Sequence, residues 1–158
     1  MAEFAYNPVQ LVEPNQNIIL DTVIPCNKGY VFHRDQSGIV ILRGIVNCPQ
    51  ACFARYQVTF NGNIPLPAEA EVGPTSVALA IDGEPVQTSR AIVTPADTAT
   101  DPVTPTNFFN VTSTAIITVP KGCCFTVAVE NTSGPAVPGD VAPEILVQNA
   151  NLTVARIA

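Results

Sequence analysis

Five cysteines, Cys26, Cys48, Cys52, Cys123 and Cys124, offer the most chemistry in this chain. Thiols can form disulfides, pack as small buried hydrophobes or ligate a soft metal ion. Cys48 and Cys52 bracket a turn, NCPQAC, and Cys123 and Cys124 close another stretch, PKGCC. Alternation along CCFTVAVEN puts Cys123 on the face of Phe125, Val127 and Val129, and Cys124 opposite, with Thr126, Ala128 and Glu130. Neighbours on an extended strand therefore neither pair readily with each other nor chelate one ion. A Cys-x3-Cys pair plus a vicinal pair is also a poor match to the spacing of structural zinc sites. All five remain candidates for a disulfide or cross-link, and the odd count leaves at least one for an intermolecular bond or a free thiol. A disulfide needs an oxidising setting at some stage.

Other candidate groups are sparse. The one histidine, His33, sits in GYVFHRD beside Arg34 and Asp35, and is read as structural or superficial. Asp97 with Asp101, or Asp140 with Glu144, could offer loop oxygens to Ca2+, but neither spacing follows an EF-hand loop. Asn110, Asn131 and Asn151 begin glycosylation sequons in a chain rich in Asn and Thr. Phosphate-binding glycine loops, nucleophile elbows and a pair of carboxylates fit for glycoside hydrolysis are not found. No catalytic residue, metal or cofactor is expected, and a ligand site cannot be named.

Composition sets the class. The 158 residues are 47% hydrophobic, 6% aromatic and 13% charged, a length that suits one domain over 1–158 and a charge content too low for a disordered chain. A net charge of −6, with seven Lys and Arg in total, disfavours nucleic acid, which is bound through cations on phosphates. No apolar run approaches the 18 or so residues of a membrane span. The start, MAEFAYNP, has neither basic nor apolar segments of a secretory signal. Fifteen prolines and abundant Val, Ile and Thr favour strands and turns.

The elements follow from periodicity. Residues 53–61 alternate strictly, Ala54, Tyr56, Val58 and Phe60 against Arg55, Gln57, Thr59 and Asn61. GIVILRGIV, 38–46, is apolar on both faces, as a doubly buried or subunit-facing strand would be. Residues 77–81 and 85 onward flank Asp82-Gly83, a hairpin signal. Further strands are expected over 17–22, 108–119, 123–131 and 145–157, with both chain ends tied down as strands or in a subunit contact. Prolines make 94–107 and 132–144 loops. No helical stripe is sustained. Eight to ten antiparallel strands at short spacing predict an all-β sandwich or jelly roll.

The order of segments resembles the tumour-necrosis-factor/complement globular-head jelly rolls, including the heads of bacterial collagen-like exosporium proteins. The pieces are QNIILDT, SGIVILRGIV, FARYQVTFNGNI, SVALAIDGEPV, TSTAIITVPKGCCFTVAVENTS and ILVQNANLTVARIA, covering about Phe4 to Ala158. No collagen-like Gly-X-Y stalk accompanies them, and the two proline-rich loops are long for compact bacterial members. The resemblance implies a homotrimer and a binding or structural role. It also implies that the NCPQAC and PKGC turns share one end, where a disulfide could join the turns or neighbouring subunits. The expectation is a non-enzymatic structural or adhesive module, extracellular or on a spore or virion surface, partnered with itself and with an unidentified glycan or protein. The alternative is a disulfide-linked subunit of a filament, appendage or phage virion.

Overall fold

A computed structural model of the chain describes residues 1–24, 29–65, 73–94, 108–135 and 138–158. Strands form where the sequence alternates. In β6 (Phe53–Ile64) every second residue, from Ala54 through Tyr56, Val58 and Phe60 to Ile64, is buried. β10 (Phe109–Pro120) turns Val111, Ser113, Ile117 and Val119 inward in the same way. These two strands pair antiparallel over their full lengths, from Phe109 opposite Ile64 to Pro120 opposite Phe53.

On the other side of β6 lies β12 (Ile145–Arg156), then β1 (Ala2–Tyr6) and β3 (Thr22–Ile24), giving the order β10-β6-β12-β1-β3. β2 (Gln10–Val12) pairs with the first part of β12. The facing sheet runs β4 (Val31–His33), β5 (Val40–Arg43), β11 (Cys124–Asn131), β7 (Thr75–Ile81) and β8 (Glu84–Pro85), with β9 (Ala91–Val93) also on β7. All these pairings are antiparallel. The two sheets form a jelly-roll sandwich. Among the described residues the only helical element is one 3-10 turn, Gln87–Ser89.

The core is the apolar layer between the sheets. Phe4, Tyr56, Phe60, Leu42, Leu79 and Leu152 are each about fully buried in it. A large apolar side chain taken out of water contributes roughly 1.5–3 kcal/mol, so these inward rows are what hold the sheets together. Tyr56 is the polar exception: its hydroxyl donates to Arg43 O at 2.6 Å and approaches Tyr30 O at 3.3 Å.

Residues 15–18 tie the sheets together at one side. Asn15 N donates to Asn131 O (2.9 Å), Asn131 N to Gln16 O (3.0 Å) and Ile18 N to Val129 O (2.8 Å). This continues the edge of β11 beyond β5 and drives Ile18 and Leu20 into the core. The expected strand at 17–22 is therefore this short pairing followed by β3, whose bounds run later. Close approach here requires Gly38, where a Cβ would fall 1.8 Å from Ile18 O.

Several expectations hold and some shift. Asp82 and Gly83 adopt φ of 51° and 85°, the paired positive values of a two-residue hairpin turn. Asp82 Oδ1 accepts from Thr126 N and Oγ1 at 2.8 and 2.9 Å, fastening the hairpin to β11. The strand expected over 38–46 is shortened to β5, since Gly44 leaves the ladder to bond the 120–123 turn. In β5, Val40 and Leu42 fill the core and Ile41 is half-buried outside. Twelve strands are found among the described residues, against the eight to ten expected, because the sheet margins are made of pieces two to five residues long. The 132–144 stretch contains no strand among its described residues; in 94–107, residues 95–107 lie outside them.

Tyr56→Phe keeps the core volume but strips Arg43 O of its short donor. It should lower stability by about 1–3 kcal/mol. Urea unfolding should show this as a lower midpoint at unchanged slope.

Candidate functional site

The end of the sandwich where β6 begins gathers the thiols. The β6–β10 ladder continues one step past Phe53 and Pro120, with Lys121 N donating to Cys52 O at 2.9 Å. Residues 120–123 then turn back, closed by Cys123 N to Pro120 O at 3.0 Å, with Gly122 at φ +79°. The turn is clamped to the end of β5: Gly44 N donates to Cys123 O (2.8 Å) and Gly122 N to Gly44 O (3.0 Å). Only glycine fits at 44, because a Cβ would lie 1.9 Å from Pro120 O.

The second turn is drawn alongside. Ala51 N donates to Cys48 O at 3.0 Å, and the Lys121 ammonium reaches across to Pro49 O at 3.3 Å. Cys124 opens β11 opposite Arg43, on the outward face. Cys48, Cys52, Cys123 and Cys124 thus stand around one end of the fold, and all four are exposed free thiols. Exposure overturns the option that these four pack as buried hydrophobes: they belong to turns beyond the reach of the core. Among the described residues no three His, Cys, Asp or Glu side chains converge as a metal site would require. Cys26 lies outside the described residues.

The same end holds the close of the chain. Arg55 N donates to Ala158 O at 2.8 Å and Ile157 N to Arg55 O at 2.9 Å. The Arg156 guanidinium lies 4.2 Å over the Tyr30 ring, and that of Arg55 4.7 Å over Phe53.

His33 is placed elsewhere and is structural. It is buried, stacked on Phe4 with ring centroids 5.2 Å apart, and its Nε2 is 2.9 Å from Ser37 O. A carbonyl partner puts the proton on Nε2, leaving Nδ1 buried without a partner. The sequons also sort by burial. Asn131 is fully buried and donates to Val12 O and Pro143 O at 3.0 and 3.2 Å, which closes it to a glycan. Asp97 and Asp101 lie outside the described residues; Asp140 and Glu144 are exposed.

Two features went unread in the sequence. The first is the outward face of the β10-β6-β12-β1 sheet, built from Asn and Thr. Asn110 Nδ2 donates to Asn61 Oδ1 (2.9 Å) and Asn63 Oδ1 (3.1 Å), Asn61 Nδ2 to Thr112 Oγ1 (3.1 Å), and Thr114 Oγ1 to Thr59 Oγ1 (3.2 Å). Alternating Asn and Thr in FNGN and NVTST was the available signal.

The second is a cleft of about 210 Å3 on the other sheet, lined by Asn15, Ala78, Pro85, Gln87, Arg90 and Thr132. Arg90 is fixed there, Nε to Ser76 Oγ and Nη2 to Thr132 O, both 3.0 Å. Glu130 sits opposite Ala78 in the ladder and is buried. Burial raises its pKa above the usual carboxylate value, and the charge of Glu84 pushes the same way.

Comparison with solved structures places the fold. The chain is similar to the globular domain of zebrafish complement 1qA protein, at 14% identity and a TM-score of 0.54, over 99% of this chain and 97% of that one. It is also similar to the Eiger TNF of S. frugiperda, at 12% identity and a TM-score of 0.61, over 100% and 92%. No protein-family model and no curated protein matches the chain.

The Glu130 environment gives a signed pH dependence. Because the folded state holds the Glu130 proton more tightly than the unfolded chain, its contribution is fully present below the unfolded value of 4.5 and lost as pH rises through the folded value. Glu130→Gln should therefore raise the melting temperature at pH 7.5, by on the order of a few °C. At pH 4 the difference should shrink towards zero. Thermal melts of both proteins at the two pH values check this.

Proposed function

This fold is that of the tumour-necrosis-factor/complement-head jelly rolls, and we propose that 1–158 is one such domain acting without catalysis. In this reading the chain is a structural or adhesive module that self-associates as a homotrimer on the surface of a spore or related particle. Burial of the one histidine against Phe4 supports a role other than acid–base chemistry.

One observation carries the self-association. Both lateral edges of the sandwich expose large apolar residues, and the two edges are different. At one edge β3 and β4 present Ile24 and Phe32, which are 58% and 62% exposed. At the other, β10 and β9 present Ile116 and Ile92, 64% and 61% exposed. Large apolar side chains exposed on edge strands, beside the unpaired backbone groups of those edges, suit contact with another chain. Two unlike edges suit a heterologous contact, which closes into a ring when its rotation is right. The apolar face expected of GIVILRGIV contributes little beyond Ile41, next to Phe32 in the β4–β5 ladder.

Light scattering on the purified protein in reductant tests this. A species of about 50 kDa, three chains of 16.7 kDa, is expected. Ile116→Asp and Phe32→Asp should each shift it towards the single-chain mass while leaving the circular dichroism of the fold intact. A wild-type mass of 16.7 kDa at every concentration up to about 100 µM would overturn the trimer. Antibody labelling of intact particles from the source cells checks the surface placement.

A further inference from the structure

Cysteine is among the residue types most often buried, and a buried structural thiol is inert. This chain does the reverse at one end, where Cys48, Cys52, Cys123 and Cys124 are all exposed. They are carried by two turns locked to each other through Lys121 N to Cys52 O and the Lys121 ammonium to Pro49 O. Gly44 bonds on both sides of Cys123 and holds that turn against β5. A rigid platform therefore presents four thiols to solvent.

The geometry points to this end as a covalent coupling face, through which one copy of the chain is joined to another by disulfides. Two things favour a second copy over closure within one chain. The two turns are bonded side by side, yet all four of their thiols stay free and exposed in the folded chain. In addition, every copy carries the same four groups, so a two-fold contact of like ends sets thiol against thiol without a further component. Four thiols per chain also let one copy be bridged to two different neighbours, which extends covalent assembly beyond a two-fold pair.

The oxidant is a low-molecular-weight disulfide, of which glutathione disulfide is the probe. A cysteine thiolate of one copy attacks it, forming a mixed disulfide and releasing one glutathione thiolate. A thiolate of the second copy then attacks the protein sulfur and displaces the other glutathione. Two protein thiols become one S–S bond, the oxidant's S–S bond becomes two thiols, and the two protons pass from protein to glutathione. Arg43, Arg55 and Lys121 stand in or beside these turns in a chain of net charge −6, and they would draw the anionic oxidant to this end.

The test uses the reduced full chain, treated with glutathione disulfide, quenched with iodoacetamide and run without reductant. Covalent dimers and higher multiples of 16.7 kDa are expected, collapsing to one band with reductant. Mass spectrometry should find the linked peptides to contain 48–52 or 123–124. The variant with Cys48→Ser, Cys52→Ser, Cys123→Ser and Cys124→Ser, which keeps Cys26, should stay at the single-chain band with an unchanged melting curve. Bridges confined to single chains, capping by glutathione alone, or a ladder that persists in the fourfold variant would each overturn the proposal. Mass in reductant reads the trimer separately, so the two readings fail independently.

Discussion

One strand in the middle of a sheet governs the layout. β6 is twelve residues long and pairs along both edges, with β10 over its whole length and with β12 over most of it. Once the alternation of β6 turns Tyr56, Val58 and Phe60 inward, the registers of its two neighbours follow from the need to bury their own apolar rows on the same side. The start of β6 fixes where Lys121 meets Cys52, and its Arg55 fixes where Ala158 comes to rest. The end of the molecule that holds the thiols is thus a by-product of the longest ladder.

Charge and polarity are distributed to match. The outward face of the β10-β6-β12 sheet is covered by a lattice of Asn and Thr side chains bonded to one another. Such a face has its polar groups partly satisfied and offers little apolar area. Large apolar side chains are exposed on edge strands, at Ile24, Phe32, Ile92 and Ile116, as well as at Leu11, Val141 and Ile157. A sheet margin also carries unpaired backbone groups, and covering it with a neighbouring subunit removes that liability. The cleft beside Arg90 lies on the other sheet, at its β8 end, and none of its lining residues belongs to the turns that carry the thiols.

The fold was legible in the sequence wherever period-two alternation was long. The strands expected at 53–61, 77–81, 108–119, 123–131 and 145–157 all exist, with bounds shifted by one to three residues at most ends. What escaped was decided by tertiary context. β12 buries Ile145 and Val147, then Ala150, Leu152 and Val154, so its parity changes midway. The register slips between Gln148 and Asn151, where Asn149 takes φ +52° in a β-bulge. Nothing in QNAN announces that inserted residue. The 15–18 pairing was likewise unreadable, because it rests on Asn131 and Val129 more than a hundred positions away. At the candidate site, the gathering of the turns was foreseen from the resemblance, while exposure of the thiols depended on how far each turn overhangs the core. The Arg90 cleft had no sequence signal at all, since its lining comes from four separate stretches.

The pairing of β1 with β12 has a consequence for how the molecule is made. Ala2 lies opposite Val154, and β12 stands between β1 and β6. A ribosome delivers β12 after every other strand, so one sheet lacks an interior member until synthesis has passed it. Until then β1 has no neighbour to hold it beside β6, and the apolar rows that β12 covers wait exposed in the nascent chain. Closure of this sheet therefore waits until β12 has been made, in a topology whose far-apart pairings are slow to form.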